Sequence, residues 1–600
     1  MSIAATFSDH APRERTERRT ILLIVWATTV ISYLSASLHT NHGFSTDDAM
    51  RLVQVRDFLA GQGWFDLTQY RLSPPEGVAM HWSRLIDLPL AALIAAGAVV
   101  LPAAQAEQVA AVVWPAALLL IFLAGVARLA RELAGDAAAR LALIFVALMA
   151  PVLQHFRPGA IDHHNVQLVL LVWPLALALG SRWRGSALAG GLCALSLAIG
   201  QEMTPAIAAI AGTVGMRWVM RGESVKQGTA AFALAFAAAT LALFAATVAP
   251  ALYAVPACDA LSIVQVTAAI IGGAGLAALT VMPGAVSIGR RLAGATVLGL
   301  VIATTMVLAF PACLGDPYAH LDPRLATLWL SNVNEARSIF SMLRDIPQEV
   351  PAYFGLPAAA LVLGLAQCLR LRDDARWIWI LCIACLAALL LVALWQVRGA
   401  AAANAVALVL VPAALVRAWP VRGDRAVFLG LGRAALAAAL VLNPLTLIAL
   451  GSAAARALDM ASGARRPVVI AEGPGTCRRA ADYAPLASLP RGLVLGFIDA
   501  GPFLLMETPH AVLAAPYHRN VRGNSAMLDV FLARPDQAVA RLDALGVAYV
   551  AFCPGAPERY NYAAEPAEGF AAALARGEVP DGLERIPLAG TDLVVYRPRL

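Results

Sequence analysis

Two short runs in this 600-residue chain hold residue types that do chemistry together: Asp47-Asp48 and Asp162-His163-His164. Carboxylates and imidazoles drawn from separate loops make a site for a divalent cation, because Mn2+ and Mg2+ favour hard oxygen ligands and Mn2+ also takes nitrogen. Such a cation would offset phosphate charge on a substrate. Each carboxylate taken singly has a second explanation. Asp47-Asp48 precedes the helical pattern Ala49 to Leu59, and Asp162 precedes an apolar helix starting near Val166, so both also suit helix N-caps. Capping does not explain the two histidines after Asp162, and they favour a site. Other candidates keep two readings. His81 and Arg84 in MHWSRLID fit contact with a phosphate or sugar, or the aromatic-basic pattern of a membrane interface. Glu202 in GQEMTP is a donor-pocket residue or a turn carboxylate. Glu335 tethers an acceptor or pairs with Arg337, and the run Tyr517-His518-Arg519-Asn520 faces the site or belongs to a solvated loop.

The elements that position these residues are membrane helices. Hydrophobic residues make up 60% of the chain and charged ones 14%, and the mean hydropathy is +0.70. Apolar stretches of about 17 to 25 residues recur from Thr20 to Ser452, each able to cross a hydrocarbon core of roughly 30 Å. The first, Ile21 to Leu38, follows Arg13, Arg15, Arg18 and Arg19; it is long for a signal and lacks an A-x-A site, so it reads as a retained anchor. Arginine bias then sets the topology. The loops holding Arg128/Arg131/Arg140, Arg182/Arg184, Arg217/Arg221/Lys226, Arg290/Arg291, Arg370/Arg372/Arg376 and Arg417/Arg422/Arg425 all fall on one side if Leu88 to Leu101 lies at the membrane surface instead of crossing it.

The resulting fold class is a polytopic α-helical membrane protein with about thirteen transmembrane helices. A cytoplasmic tail spans 1–19 and the helical module 20–452, with long external loops at 39–106 and 312–350. A periplasmic α/β domain fills 465–600, with strand-like runs at Pro467 to Ala471, Gly492 to Ile498, Val547 to Phe552 and Asp592 to Tyr596 and a helix at Asp536 to Leu545. This is a multi-pass protein of a bacterial inner membrane, with its polar residues on the periplasmic face. The net charge of +6 comes from topogenic arginines and implies no nucleic acid. Cys193, Cys368, Cys382 and Cys385 lie in apolar helices, whereas Cys258, Cys313, Cys477 and Cys553 fall on the external side, where an oxidising compartment permits pairing.

The arrangement resembles the GT-C membrane glycosyltransferases, and among them the catalytic subunit of bacterial and archaeal oligosaccharyltransferases. The resemblance rests on the span count, the external C-terminal domain, Asp47 followed by Arg56, Asp162-His163-His164 at the place of an Asp-x-His motif, Asn332-Val333-Asn334-Glu335 near a Ser-Val-x-Glu motif, and Arg398 in WQVRGAAAAN. It implies Asp47, Asp162 and His164 as ligands of Mn2+ or Mg2+, with Asp48 and His163 as neighbours. It implies Arg398 as the group holding lipid-linked phosphate. It also implies a polyprenyl-linked sugar donor, which accords with the lack of a nucleotide-binding fingerprint. The family's Trp-Trp-Asp motif has no counterpart, the segment reading Gly496-Phe497-Ile498-Asp499. That points from a protein sequon towards a glycan or lipid acceptor.

The expected function is therefore metal-assisted glycosyl transfer from a polyprenyl phosphate or diphosphate to a glycan, lipid or protein acceptor. The alternatives are a metal-independent GT-C transferase and a transporter or flippase of lipid-linked glycan. Transport is disfavoured because transporters place charges near the bilayer midplane.

Overall fold

A computed structural model describes residues 10–40, 43–180, 182–283, 287–372, 374–418, 441–462, 477, 479–563 and 568–599. The first helix, α1 (His10–Thr40), starts before the expected boundary at Thr20. The stretch Arg13 to Arg19 is rich in Arg and Glu, which are good helix formers, and Pro12 sits in the first turn where proline is tolerated. The external segment then forms α2 (Thr46–Leu59), a ribbon of β1 (Thr68–Gln69) and β2 (Val78–Ala79), and α3 (Arg84–Ala98). The 15 residues of α3 make about 22 Å of helix, short of the ~30 Å core. It packs along α4 (Ala103–Val146).

Among the described residues, eight helices are long and apolar enough to cross a membrane. Two of these runs are 44 residues long, each enough for two crossings. One is α4, which breaks at Ala134–Gly135, where Gly135 takes φ +81, a conformation open to glycine. The other joins α8 (Thr204–Arg221) and α9 (Lys226–Thr247), with Gly222 at φ +60 between them. A four-residue α5 (Ala150–Leu153) precedes two shorter apolar helices, α6 (His164–Leu177) and α7 (Trp183–Ile199). The later helices are α10 (Ile263–Val281), α11 (Ile288–Ala309), the short external α12 (Pro323–Leu328) and α13 (Ile339–Asp345), then α14 (Val350–Arg370), α15 (Asp374–Trp395), α16 (Gly399–Ala418) and α17 (Pro444–Ser462). Residues 419–440 of the expected helical module lie outside the described residues. So do Arg422, Arg425 and the expected strand Pro467 to Ala471.

The basic loops gather at one end of the bundle. Arg18 pairs with Asp136, Arg140 with Glu17 at 3.3 Å, Arg221 with Asp374 at 3.1 Å, and Arg417 donates to the Leu133 carbonyl at 2.8 Å. At the opposite ends of the same helices stand Asp162 and His164 before α6, Glu202 between α7 and α8, and Arg398 before α16. Ala-rich α16 is buried for nearly its whole length, which lets α4 and α14 close on it.

The C-terminal domain contains α18 (Ala500–Glu507), α19 (Val521–Phe531), α20 (Pro535–Ala544), α21 (Glu558–Ala563) and α22 (Phe570–Ala575) around a five-stranded sheet. Strands β3 (Leu493–Leu495), β4 (Ala511–Val512), β5 (Val547–Phe552), β6 (Leu583–Ile586) and β7 (Val594–Pro598) lie in the order β4-β3-β5-β7-β6. The first external loop extends this sheet, since Ser73 donates to Val512 and Val512 to Arg71 at 2.7 and 2.8 Å. Arg71 also caps the end of α18 through the carbonyls of Leu505, Thr508 and His510. Cys258 pairs with Cys313 and Cys477 with Cys553, and Cys193, Cys368, Cys382 and Cys385 are free and buried.

Candidate functional site

Asp48 is built into the scaffold. With Ser45 it closes a capping box at the start of α2, and its Oδ1 accepts from the backbone of Ile161 and Asp162 at 2.8 and 3.0 Å. The first external loop is thereby clamped to the second. Asp47, the preceding residue, makes no hydrogen bond among the described residues. Its carboxyl is pushed up to about 8, by burial first and then by the negative charges of Glu335, Asp162 and Asp48. Asp162 uses Oδ1 to accept from the His164 backbone at 2.9 Å, leaving Oδ2 3.8 Å from His164 Nε2. Burial pulls the Asp162 carboxyl upward, but the histidines His164, His163 and His155 hold it below the usual range.

Glu202 grips both neighbouring imidazoles, His163 Nε2 at 3.0 Å and His164 Nδ1 at 3.1 Å. Burial opposes charge on His164, but Glu202 and Asp162 raise its pKa well above the usual value, so the ring is held as an imidazolium. With Nδ1–H donating to Glu202, it is the Nε2 proton, facing Asp162, that a bound cation would displace. Glu202 is thus an orienting partner of His164 as well as a candidate ligand: His163, His164 and Glu202 offer three ligand atoms within 4.8 Å of one another. Burial raises the Glu202 carboxyl, and the two histidines more than reverse this, keeping it well below its usual value. The donor types fit a cation: an imidazole nitrogen of His164, a free Asp162 oxygen 3.8 Å from it and the acidic excess at Asp47. The three ligand atoms within 4.8 Å of one another, however, belong to His163, His164 and Glu202 and not to Asp47, Asp162 and His164. A divalent cation bound there would supply positive charge to a phosphate.

A cavity of about 1350 Å³ opens beside this cluster, lined by His163, His164, Glu202, Glu335 and Arg398, with His81, Asp259, His518 and Arg519 on its outer wall. Glu335 and Arg398 are adjacent because two backbone bonds join their segments, Arg398 N to Glu335 O at 3.0 Å and Val397 N to Arg337 O at 2.9 Å. The Arg398 guanidinium makes no hydrogen bond among the described residues, and its Nε is buried without a partner. Burial opposes its charge, but Tyr318, Glu202, Glu335 and Asp47 raise its pKa, so it stays a cation. The N-termini of α6, α8 and α16 also meet this end, adding partial positive charge that suits an anionic ligand.

Three of the expected site residues do other work. Arg84 is buried away from the cavity, bonded to Asp87 at 3.0 Å, which also pairs with Arg51 at 2.7 Å. This triad joins α2 to α3, with the Arg51 guanidinium 4.6 Å from the Trp82 ring. Arg56 forms a two-pronged pair with Glu107, both bonds 2.8 Å, and reaches the Met506 carbonyl at 2.5 Å, fastening the C-terminal domain to the bundle. Asp499 stands at the start of α18, half-buried and off the cavity wall, with its charge acting on Tyr517 and Tyr562. His155 and Asp259 were not anticipated. His155 lines the cavity with its ring 5.4 Å from that of His164, and the one sequence signal for Asp259 is its place beside the externally paired Cys258.

No family model matches the sequence, and no curated protein matches it. Solved structures do. The archaeal oligosaccharyltransferase AglB from Archaeoglobus fulgidus, in complex with an inhibitory peptide and a dolichol-phosphate, aligns at a TM-score of 0.66 and 15% identity, over 94% of this chain and 72% of that one. The A. fulgidus oligosaccharyltransferase tethered to an acceptor peptide containing the NVT sequon gives 0.65 at 15% identity, over 93% and 72%. The same enzyme in complex with Zn and sulfate gives 0.61 at 16%, over 96% and 73%. The chain therefore has the oligosaccharyltransferase-like GT-C fold.

Proposed function

We propose that this protein is a glycosyltransferase that moves a sugar or oligosaccharide from a polyprenyl-phosphate or diphosphate donor to an acceptor at the periplasmic face of a bacterial inner membrane. The observation that carries the reading is the unpartnered Arg398 guanidinium on the wall of one cavity with His163, His164 and Glu202. A phosphate leaving group gains charge as the sugar bond breaks, and fixed cations stabilise that charge more in the transition state than before it. Arg398 holds the phosphate, and Asp47, Asp162 and His164 hold Mn2+ or Mg2+. Glu202 fixes the His164 ring, and Glu335, one strand-like contact from Arg398, faces the acceptor. The solved relatives with dolichol-phosphate, with an acceptor peptide and with Zn and sulfate support these three roles by fold.

The opposed ends of the bundle, one arginine-rich and the other carrying the disulfide Cys258–Cys313, support the periplasmic placement within a thirteen-span reading. The acceptor is a glycan or lipid, because Phe497 and Ile498 are buried in the domain core where a sequon-reading motif would need exposed side chains. The test is mass analysis of surface glycans and polyprenyl-linked intermediates in cells with the protein, without it, and with Asp47→Ala or Asp162→Ala. An accumulated lipid-linked species in the null strain and in both variants is expected. Normal glycans in both variants would remove these residues from catalysis, and turnover that survives chelation would remove the cation.

A further inference from the structure

On the outer wall of the cavity His81, Asp259 and His518 come together from three segments far apart in sequence. His81 follows β2, Asp259 lies between α9 and α10 beside the bridged Cys258, and His518 belongs to the loop after β4. One ligand atom from each lies within 4.8 Å of the other two. Cations bound at about 2.1 Å hold adjacent ligand atoms roughly 3 to 4 Å apart, so this spacing needs only a small contraction. The His518 Nε2 to Asp259 Oδ2 distance is 2.7 Å, and the rings of His81 and His518 are 4.8 Å apart. Nδ1 of His81 is buried with no hydrogen-bond partner. None of the three residues is shared with the Asp162-His164 cluster.

We propose that His81, Asp259 and His518 form a second cation site, for Zn2+ or Mn2+, which ties the C-terminal domain to the loops of the membrane module at the cavity wall. Two imidazoles and one carboxylate select a borderline cation over Mg2+ or Ca2+, which prefer all-oxygen shells. Arg519 donates to both Asp259 oxygens, at 2.8 and 2.7 Å. Those bonds orient the carboxylate as an outer partner does around a metal. The cation replaces only the bond between His518 and Asp259. Three ligands leave open positions towards the cavity, where the rings of Tyr318 and His320 stand 6.4 and 6.2 Å from that of His518. The rival explanation is an ion-pair latch, in which His518 and Arg519 grip Asp259 with no metal.

Zinc content decides between them and needs no sugar donor. The full-length protein in detergent is stripped with chelator, exchanged against Zn2+ and assayed for bound metal, with size-exclusion profiles confirming that each variant is folded. Two equivalents are expected for the wild type and one each for His81→Ala, His518→Ala and His164→Ala. His81→Ala is the sharper variant, because it leaves the Asp259–His518–Arg519 contacts in place, and His81→Asp is expected to restore the lost equivalent. Unchanged zinc in both His81→Ala and His518→Ala establishes the latch and overturns the proposal. A single equivalent lost in His81→Ala but kept in His164→Ala supports this site and counts against the cation in the sugar-transfer reading.

Discussion

Replacing Arg398 by alanine separates function from stability, because the side chain makes no hydrogen bond among the described residues and its burial offsets most of the attraction of Glu202, Glu335 and Asp47. The residue's backbone position is fixed by the bond from its N–H to Glu335 O at 3.0 Å, which the substitution keeps. Its guanidinium has no hydrogen bond among the described residues, so truncation breaks no contact and removes a half-buried charge whose Nε lacks a partner. The melting temperature of the ligand-free protein should therefore hold or fall slightly, with a stability change within about 1 kcal/mol. Phosphate binding should suffer. A hydrogen bond to a charged group contributes about 1.5–3 kcal/mol, so affinity for a polyprenyl phosphate should fall roughly 10- to 150-fold. Transfer should fall by about 10² to 10³, the usual loss for a donor aimed at developing charge. Arg398→Lys keeps the charge without the two-pronged geometry and should lie between. Native mass spectrometry of the detergent-solubilised protein titrated with polyprenyl phosphate reads the affinity without knowledge of the sugar. Wild-type affinity in Arg398→Ala, or a melting loss that accounts for the whole effect, would refute the reasoning.

Asp87→Ala leaves Arg51 and Arg84 buried without their shared carboxylate and should destabilise the protein by about 3–5 kcal/mol, measured by thermal unfolding in detergent; a loss under about 1 kcal/mol would mean the triad is not the joint between α2 and α3. Arg71→Ala removes three bonds to the end of α18 and should raise amide exchange over residues 505–510 while leaving the helical bundle protected. Uniform protection would show that the sheet extension at Val512 suffices alone. Asp47 carries the pH dependence. Its folded value of about 8 lies above the unfolded 3.8, so the unfolded chain binds fewer protons between these values, and the metal-free protein loses stability as pH rises through that window. Asp47→Asn should flatten the decline and melt higher than wild type at pH 8, with little difference at pH 4. Parallel pH curves for the two proteins would place Asp47 in solvent.

Hydropathy and arginine bias made the end of the bundle that holds the site legible, because both are summed over many residues and survive errors at any one. Individual polar side chains were not legible in the same way. Arg84 and Arg398 each sit beside an apolar run, and nothing local to the chain says which faces a cavity. What separates them is a carboxylate: Asp87 lies one turn beyond Arg84 and quenches it, whereas Arg398 has Glu335 beside its backbone but no bond to its guanidinium. The i,i+3 spacing of Arg84 and Asp87 was visible in the sequence, while the 36 residues between Arg51 and Asp87 hid the third member. The strands β4 and β6 escaped for a related reason. Two and four residues long, they carry too little alternation to register without the sheet they join.

The two readings of the acidic runs, helix cap and reactive site, turn out to be compatible. Consecutive residues on a helix point about 100° apart, so adjacent carboxylates at an N-terminus cannot both turn back to the backbone. Asp48 turns back, closing the capping box and holding the loop at Ile161 and Asp162. Asp47 is left facing Glu335, Asp162 and His164. Asp162 divides the work between its own two oxygens, one on the backbone of His164 and one towards that residue's ring. The capping box at Asp48 and the turn bond from His164 N to Asp162 each fix the angle at which the remaining carboxylate oxygens are presented, although the cap position of α6 itself is taken by His163. The cap is therefore what orients the site, and removing Asp48 should misplace Asp47 and Asp162 together, residues that like Asp48 stand off the cavity wall formed by His163, His164 and Glu202.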